Sequence, residues 1–310
     1  MSLFSACVYK IIPLYFSILI GFFSGKKLNV SRDTVVQIML YILNPIVIFN
    51  GIARIQIDSS ILMLPIIVTL MCGLMCFVFY KLAAIFWNDK TKSLIGFSAG
   101  NGNTGYFGLP IALFLFDDHG EGVYIFAILG VTLFENTVGF LIFSDERMTF
   151  KEAFYRLLKV PVLYAFAIGL IFNLFKIPMA SFLQDFMRDI KGAYSIFGMM
   201  IIGLGLSGLK RLTLDYLFIG LTFLARFVAW PLTMISLIYL DQHFLHFFDP
   251  VAYNALLLIS IVPLGTNSVL MATLMNVHPE KAASAVILSI LIALFFVPFM
   301  VERFMCVLTP

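Results

Sequence analysis

The chain has 310 residues, of which 61% are hydrophobic and only 12% are charged, and its mean hydropathy is +1.02. Soluble domains carry about 25% charged residues, so this composition excludes a water-soluble surface and, with it, a disordered protein, a disulfide scaffold and a nucleic-acid-binding domain. The net charge of +3 is small. We therefore expect an all-α polytopic membrane protein that has the lipid bilayer as its surroundings.

Apolar runs of the length that crosses a bilayer, about 20 residues, recur along the whole chain. They predict ten transmembrane helices, separated by short charged connections. In chain order the predicted spans are 8–23, 34–52, 61–86, 94–116, 123–143, 160–175, 195–209, 216–240, 251–275 and 282–301.

The lysine and arginine residues between the spans predict the orientation of the chain in the membrane. The odd-numbered loops hold twelve of them, whereas the even-numbered loops and the two termini together hold six. Positively charged loops stay on the cytoplasmic side. The odd loops are thus expected in the cytoplasm and both termini on the non-cytoplasmic side.

The ten spans divide into two sets of five, residues 1–147 and 148–310, in which corresponding spans follow each other at similar spacing. Because five is an odd number, the two halves would be inverted relative to each other. Inverted repeats are typical of secondary transporters.

The fourth and ninth spans each contain a segment that cannot form a regular helix. Residues 100–110 read Gly-Asn-Gly-Asn-Thr-Gly-Tyr-Phe-Gly-Leu-Pro, and residues 263–268 read Pro-Leu-Gly-Thr-Asn-Ser. Glycine weakens a helix and proline removes an amide donor, so both spans are predicted to break. The positive amino-terminal ends of the half-helices would suit an anion, and the free carbonyls and polar side chains would hold its oxygens or a cation. The alternative is that these residues only kink the helices or let them pack closely.

One of these segments carries a family resemblance. Residues 103–110, Asn-Thr-Gly-Tyr-Phe-Gly-Leu-Pro, resemble the fourth-helix signature of the auxin efflux carrier family, in the bile acid/sodium symporter-like superfamily. The ten spans, the Asn44-Pro45 pair and Pro263 fit the same family. The resemblance implies a scaffold domain of about 1–56 and 157–211. It also implies a transport domain of about 60–145 and 213–303, in which helices 4 and 9 cross at their breaks, and a homodimer.

The chain departs from the plant members of that family in two respects. Where they have a second proline in the ninth helix, this sequence has Ser268, and their long hydrophilic loop is missing. It resembles the compact bacterial members instead. This implies the bacterial inner membrane, and a substrate that is a dicarboxylate such as malonate or an auxin-like monocarboxylate.

The predicted substrate site lies between the two breaks, with one residue contributed by the second span. The resemblance assigns Asn103 to the substrate and Pro110 to the helix crossover. The predicted substrate-binding residues are Asn101, Asn103, Thr104, Pro110, Asn44, Pro263, Thr266 and Asn267.

Three charged residues are predicted within the spans of the transport domain: Lys81 in the third, Glu135 in the fifth and Arg226 in the eighth. Lys81 is near the cytoplasmic end of its span, where its side chain can reach the membrane surface. Charges are costly in a membrane and are functional candidates by default. Arg226 could attract an anion or pair with Glu135, and Glu135 could bind and release a proton during the cycle. The alternative is a structural role for both, as a salt bridge or as partners of the broken backbone.

These features together predict a secondary transporter that moves a small organic anion by alternating access about a midplane site. A sodium-coupled organic-anion symporter and a non-transporting receptor or sensor are the alternatives. The sequence has no phosphate-binding loop and no hydrolase motif, so no enzyme is expected. No closed set of metal ligands is present either, and we expect neither a metal nor a cofactor.

Overall fold

The computed structural model describes residues 3–143, 158, 160–208 and 212–305, with side chains from residue 11 onward. Within this part of the chain the secondary structure is helical, which confirms the predicted all-α class. The predicted repeat boundary at 147/148 lies outside the described residues. The helices are α1 (Leu3–Lys27), α2 (Arg32–Arg54), α3 (Ser59–Ala83), α4 (Thr91–Gly100), α5 (Thr104–Leu115), α6 (Asp118–Leu141), α7 (Pro161–Leu174), α8 (Ser181–Ser207), α9 (Tyr216–Leu245), α10 (Pro250–Ile261), α11 (Asn267–Leu274) and α12 (Pro279–Met305).

Six of the described helices, α2, α3, α6, α8, α9 and α12, are long and apolar enough to cross a membrane. Shorter apolar helices, α5, α7 and α10, lie among them. The predicted fourth span is represented by α4 and α5, and the predicted ninth by α10 and α11, with non-helical residues between the two parts in each case. The ten-span inverted repeat as a whole stays a prediction.

The start of the seventh span was predicted wrongly. The sequence places it at residue 195, after a run of charged residues, but α8 begins at Ser181. The first turns of α8 can contain charged residues because some of these residues form ion pairs. The Lys191 ammonium contacts Asp118 at 2.8 Å and also the carboxylate of Glu121. In the sequence alone, the charged residues at the start of this helix have the composition of a loop.

The described residues form two compact units, which the chain enters in turn. The first comprises those within Met1–Asp58, Gly105–Phe126 and Tyr155–Lys210, and the second those within Ser59–Thr104, Ala127–Phe154 and Arg211–Pro310. The predicted transport domain includes residues 105–126, which belong to the first unit here. The division of roles between a scaffold and a transport domain stays a prediction.

In the first unit, α1 and α8 pack with their backbones in close contact. A Cβ atom at Gly203 would collide with the carbonyl oxygen of Ile18, and one at Gly21 would collide with that of Met200. Small residues at such positions let helices approach closely in membranes, where dispersion contacts replace the hydrophobic effect. Close packing thus accounts for the glycines at positions 21 and 203.

In the second unit, Asp215 fixes the start of α9. Its carboxylate accepts a hydrogen bond of 3.0 Å from the Phe218 N–H and lies 2.9 Å from the Lys281 ammonium of α12. Partial burial acts to raise the pKa of this carboxyl, but the Phe218 hydrogen bond and Lys281 outweigh it and hold the pKa below its usual value. The ion pair joins two helices of the unit at neutral pH.

The packing of α1 against α8 predicts that Gly203→Ala lowers the stability of the protein. The added methyl group must push a backbone carbonyl away, and overpacking of this kind costs about 1–3 kcal/mol. Thermal unfolding of the purified protein in detergent measures the effect as a lower melting temperature.

The matched control is Gly192→Ala in the same helix, where a Cβ atom meets nothing within 4 Å. Alanine is the better helix former by up to about 1 kcal/mol, so this variant should melt at or above the wild-type temperature. Equal melting temperatures for the two variants would contradict the close contact.

Candidate functional site

The two chain breaks of the second unit lie against each other. Gly102 and Leu264 form an antiparallel bridge. The Asn103 N–H donates to the Pro263 carbonyl at 2.9 Å, and the Gly265 N–H donates to the carbonyl of Asn101 at 3.1 Å. Backbone groups without partners cost several kcal/mol each in hydrocarbon. The two breaks supply these partners to each other, as two strands of a sheet would.

Polar side chains at this crossover are buried and have no hydrogen-bond partner within the described part of the chain. Asn101 is 0% exposed, and neither its Oδ1 nor its Nδ2 has a partner. The same holds for Asn103 Nδ2 and Ser268 Oγ, whose residues are 4% and 1% exposed. A buried polar group left unsatisfied costs about 1–3 kcal/mol, so several in one place point to a binding site for a polar ligand.

The amino-terminal end of α11 carries another polar pair. Thr266 is its N-cap residue, and the side chain of the first helical residue, Asn267, donates from Nδ2 to Glu135 Oε1 at 2.8 Å. The carboxyl group of α6 thus lies at the positive end of a half-helix, where negative charge is favoured. Glu135 also fixes the orientation of the Asn267 amide.

The carboxyl-terminal ends of the two half-helices are held by side chains of α9. Arg226 is 0% exposed, and it donates from Nε to the Val262 carbonyl and from Nη2 to the Ile259 carbonyl, at the end of α10. Trp230 Nε1 donates to the carbonyl of Ala99, at the end of α4, at 2.6 Å. These donors satisfy carbonyls that have no partner within their own helix. Arg226 and Glu135, predicted as a possible pair, thus have different hydrogen-bond partners.

A π-helical turn at Leu224–Ala229 positions these donors. It ends two residues before Pro231, which has no N–H and whose ring would clash with the carbonyl four residues earlier. A wider turn relieves that clash, and π turns of this kind are common at functional sites. The proline therefore explains why α9 is distorted where Arg226 lies.

The structure brings most of the predicted site residues into one unit. The second unit contains Asn101, Asn103, Thr104, Pro263, Thr266, Asn267, Glu135 and Arg226. The other two predicted residues belong to the first unit. Asn44 is half-buried and follows the π turn of α2, and Pro110 is buried beside Gly198, whose Cβ would lie 3.1 Å from the proline ring.

Sequence reasoning missed three residues of the crossover. Trp230 was not singled out, although it follows Arg226 by four positions on the same helix. Ser268 was noted only for its departure from the plant pattern. Ser289 of α12, whose Oγ accepts a hydrogen bond of 3.1 Å from the Leu264 N–H, carries no recognisable sequence signal.

Comparison with known proteins identifies the family of the chain. The sequence profile of a family described as "Membrane transport protein" matches residues 6–301. This chain belongs to that family. The resemblance to the auxin efflux carriers is thereby confirmed at the family level. The chain is also 27% identical over 287 residues to an uncharacterized transporter of Methanocaldococcus jannaschii, a match that covers 88% of this chain and 90% of the relative.

Family membership and the apolar helices together identify a multi-pass membrane protein of a transporter family. They support a secondary transporter, and they agree with the expectation that the protein is not an enzyme. Among the described residues, four of the nine buried side-chain atoms without a hydrogen-bond partner belong to Asn101, Asn103 and Ser268, at the crossover of the two breaks.

The crossover geometry predicts that Gly102→Ala destabilises the transporter. A Cβ atom at this position would lie 2.5 Å from Arg226 Nη2 and 2.7 Å from Cζ. The guanidinium would have to leave the carbonyls that it contacts, and hydrogen bonds to charged groups contribute about 1.5–3 kcal/mol each. A lower melting temperature in detergent is the expected result.

Gly220→Ala is the matched control in this case, because it lies in α9 and a Cβ atom there meets nothing within 4 Å. It should leave the melting temperature unchanged or raise it slightly. If Gly102→Ala melted at the wild-type temperature, the close contact between Gly102 and the guanidinium would be refuted.

Proposed function

We propose that the protein is a secondary transporter that carries a small organic anion, a mono- or dicarboxylate, bound at the crossover of the two broken helices. The observation that carries this proposal is the set of buried amide and hydroxyl groups without partners at Asn101, Asn103 and Ser268. Family membership supports carrier transport, and the crossover supplies a candidate for the substrate site.

The chemistry of the crossover favours a carboxylate. Asn103 Nδ2 and Ser268 Oγ can donate hydrogen bonds to anionic oxygens, and Asn101 can both donate and accept. The amino-terminal end of α11 adds partial positive charge. The Arg226 guanidinium is already directed at backbone carbonyls. Neutral donors would bind the anion without holding it too tightly for release.

The transport cycle that we propose is alternating access, in which one domain moves relative to a scaffold around a fixed site. In this scheme the ten spans form two inverted five-helix repeats, with 60–145 and 213–303 as the transport domain. Both termini lie outside, the membrane is a bacterial inner membrane, and the protein acts as a homodimer. The charge distribution of the loops and the family resemblance support these features.

Glu135 is the proposed proton-coupling residue. Its hydrogen-bond partner is the neutral amide of Asn267, at 2.8 Å. An ionised carboxylate accepts from the amide nitrogen, whereas a protonated carboxyl can donate to an amide oxygen. The pair can therefore persist in both states, and Asn267 would transmit the change to the end of α11.

Asn103→Ala is expected to abolish or strongly weaken substrate binding while the protein stays folded. Among the described residues Asn103 Nδ2 has no hydrogen-bond partner that the substitution would remove. A hydrogen bond to a charged ligand contributes about 1.5–3 kcal/mol, so affinity should fall by roughly 10- to 150-fold. Binding and proteoliposome uptake of radiolabelled mono- and dicarboxylates measure the loss.

Asn136→Ala removes the same side chain from a half-buried position, where the amide donates to the Thr132 carbonyl of its own helix. Its affinity and uptake should match those of the wild type. Unchanged affinity in Asn103→Ala would exclude the crossover as the substrate site.

Glu135→Gln should remove the dependence of uptake on a pH gradient, because the amide keeps a hydrogen bond to Asn267 but cannot exchange a proton. The measurement is the initial rate of radiolabel uptake with and without a gradient across the proteoliposome membrane. Glu302→Gln makes the same chemical change in α12 and should keep the wild-type response. A pH response that survives intact in Glu135→Gln would assign proton coupling to another group.

A further inference from the structure

Arg226 places a permanent positive charge at the carboxyl-terminal end of a half-helix. Its guanidinium donates to the carbonyls of Ile259 and Val262, and the side chain is completely buried. The last carbonyls of a helix have no partners within it and carry a partial negative charge, equivalent to about half an electron. Two carbonyl oxygens at this helix end thus accept hydrogen bonds from a cationic side chain.

The same guanidinium also touches the other break. The backbone of Gly102 lies so close that a Cβ atom would be 2.5 Å from Nη2. On the side of α9, Cζ lies 5.0 Å from the centre of the Trp230 ring, within the range of a cation–π contact, and Trp230 donates to the end of α4. One positive charge thus lies beside both interrupted helices.

Carbonyls at the ends of broken helices have a known role in secondary transporters, where they coordinate the coupling ion. Carbonyl oxygens are also the ligands that ion channels use for dehydrated monovalent cations. In this chain such oxygens accept hydrogen bonds from a cation that is covalently attached. Arginine is always charged, so this cation cannot be lost by deprotonation and cannot dissociate into either solution.

We propose that Arg226 is a tethered cation that permanently fills a monovalent-cation site at the crossover, so that the protein works without binding sodium. The statement about transport rests on the proposed function, whereas the cation site itself does not. The tethered charge offsets the negative helix ends beside the asparagine amides and makes the crossover more favourable for an anion. In this proposal a sodium ion cannot use these carbonyls, because the guanidinium already occupies them.

The test compares Arg226→Ala with the wild type and with Arg188→Ala, which removes an exposed arginine paired only with Asp185 three residues away on the same helix. Melting temperatures are measured in detergent at constant ionic strength in choline chloride, with and without millimolar guanidinium chloride, far below denaturing concentrations. Arg226→Ala should melt several degrees lower than the wild type. Guanidinium should restore at least half of that loss, and choline none.

The wild type and Arg188→Ala should not be stabilised by guanidinium. A side chain that only filled space could not be replaced by a dissolved cation, so this rescue separates a cation site from simple packing. Two results would overturn the proposal: a folded Arg226→Ala that does not respond to guanidinium, or one that melts at the wild-type temperature.

Sodium is tested on the wild type, which requires no variant. Replacing choline with sodium should leave the melting temperature and the initial rate of uptake unchanged, and a sodium-specific rise in either would refute the tethered cation.

If Arg226→Ala does not fold, Arg226→Lys takes its place. The ammonium keeps the charge, so this variant should melt below the wild type and stay insensitive to sodium, and stabilisation by sodium would again refute the proposal.

The two proposals fail in distinguishable ways. The thermal measurements contain no organic anion, so a wild type that binds no carboxylate would reject the proposed function and leave the cation result intact. Sodium-specific stabilisation of the wild type would reject the tethered cation, while Asn103→Ala would still report on the anion site.

Discussion

Everything at the crossover follows from one constraint, which is that backbone N–H and C=O groups at membrane depth must find partners within the protein. Each break interrupts the hydrogen-bond ladder of its helix. The bridge between Gly102 and Leu264 and its neighbouring hydrogen bonds satisfy the middle of the breaks. Arg226 and Trp230 satisfy the carboxyl-terminal ends. The polar groups that remain without partners at the crossover belong to side chains, and a ligand could bind to them.

Proline explains where the helices distort. In α2, α5 and α9 a π turn ends two residues before a proline, at Pro45, Pro110 and Pro231. In each case the carbonyl four residues before the ring, with which it would clash, lies within the wider turn. The same distortion that accommodates Pro231 brings the guanidinium of Arg226 to the end of α10. A local steric requirement thus determines where a buried charge can act.

The breaks could be predicted from the sequence because clusters of glycine, asparagine and proline have a direct local effect on a helix. Their partners could not, since the contact of Arg226 with α10 depends on a π turn and on packing between residues far apart in the chain. The charged start of α8 was missed for a related reason: Lys191 resembles a loop residue until its contacts with Asp118 and Glu121 are known. Composition and spacing predicted the helical class, and the resemblance of residues 103–110 indicated the family, but neither predicted the hydrogen bonds of the site.

The proposed cycle requires a site that keeps its shape while its domain moves, and the crossover has the features of such a site. Its breaks are bonded to each other, to α9 through Arg226 and Trp230, and to α12 through Ser289, all within one compact unit. Opening the crossover would expose several backbone groups at once, at several kcal/mol for each. In the proposed cycle, a crossover with this construction would therefore move as a rigid body. The energetic cost of separating the broken helices would keep the proposed substrate site intact between its two orientations.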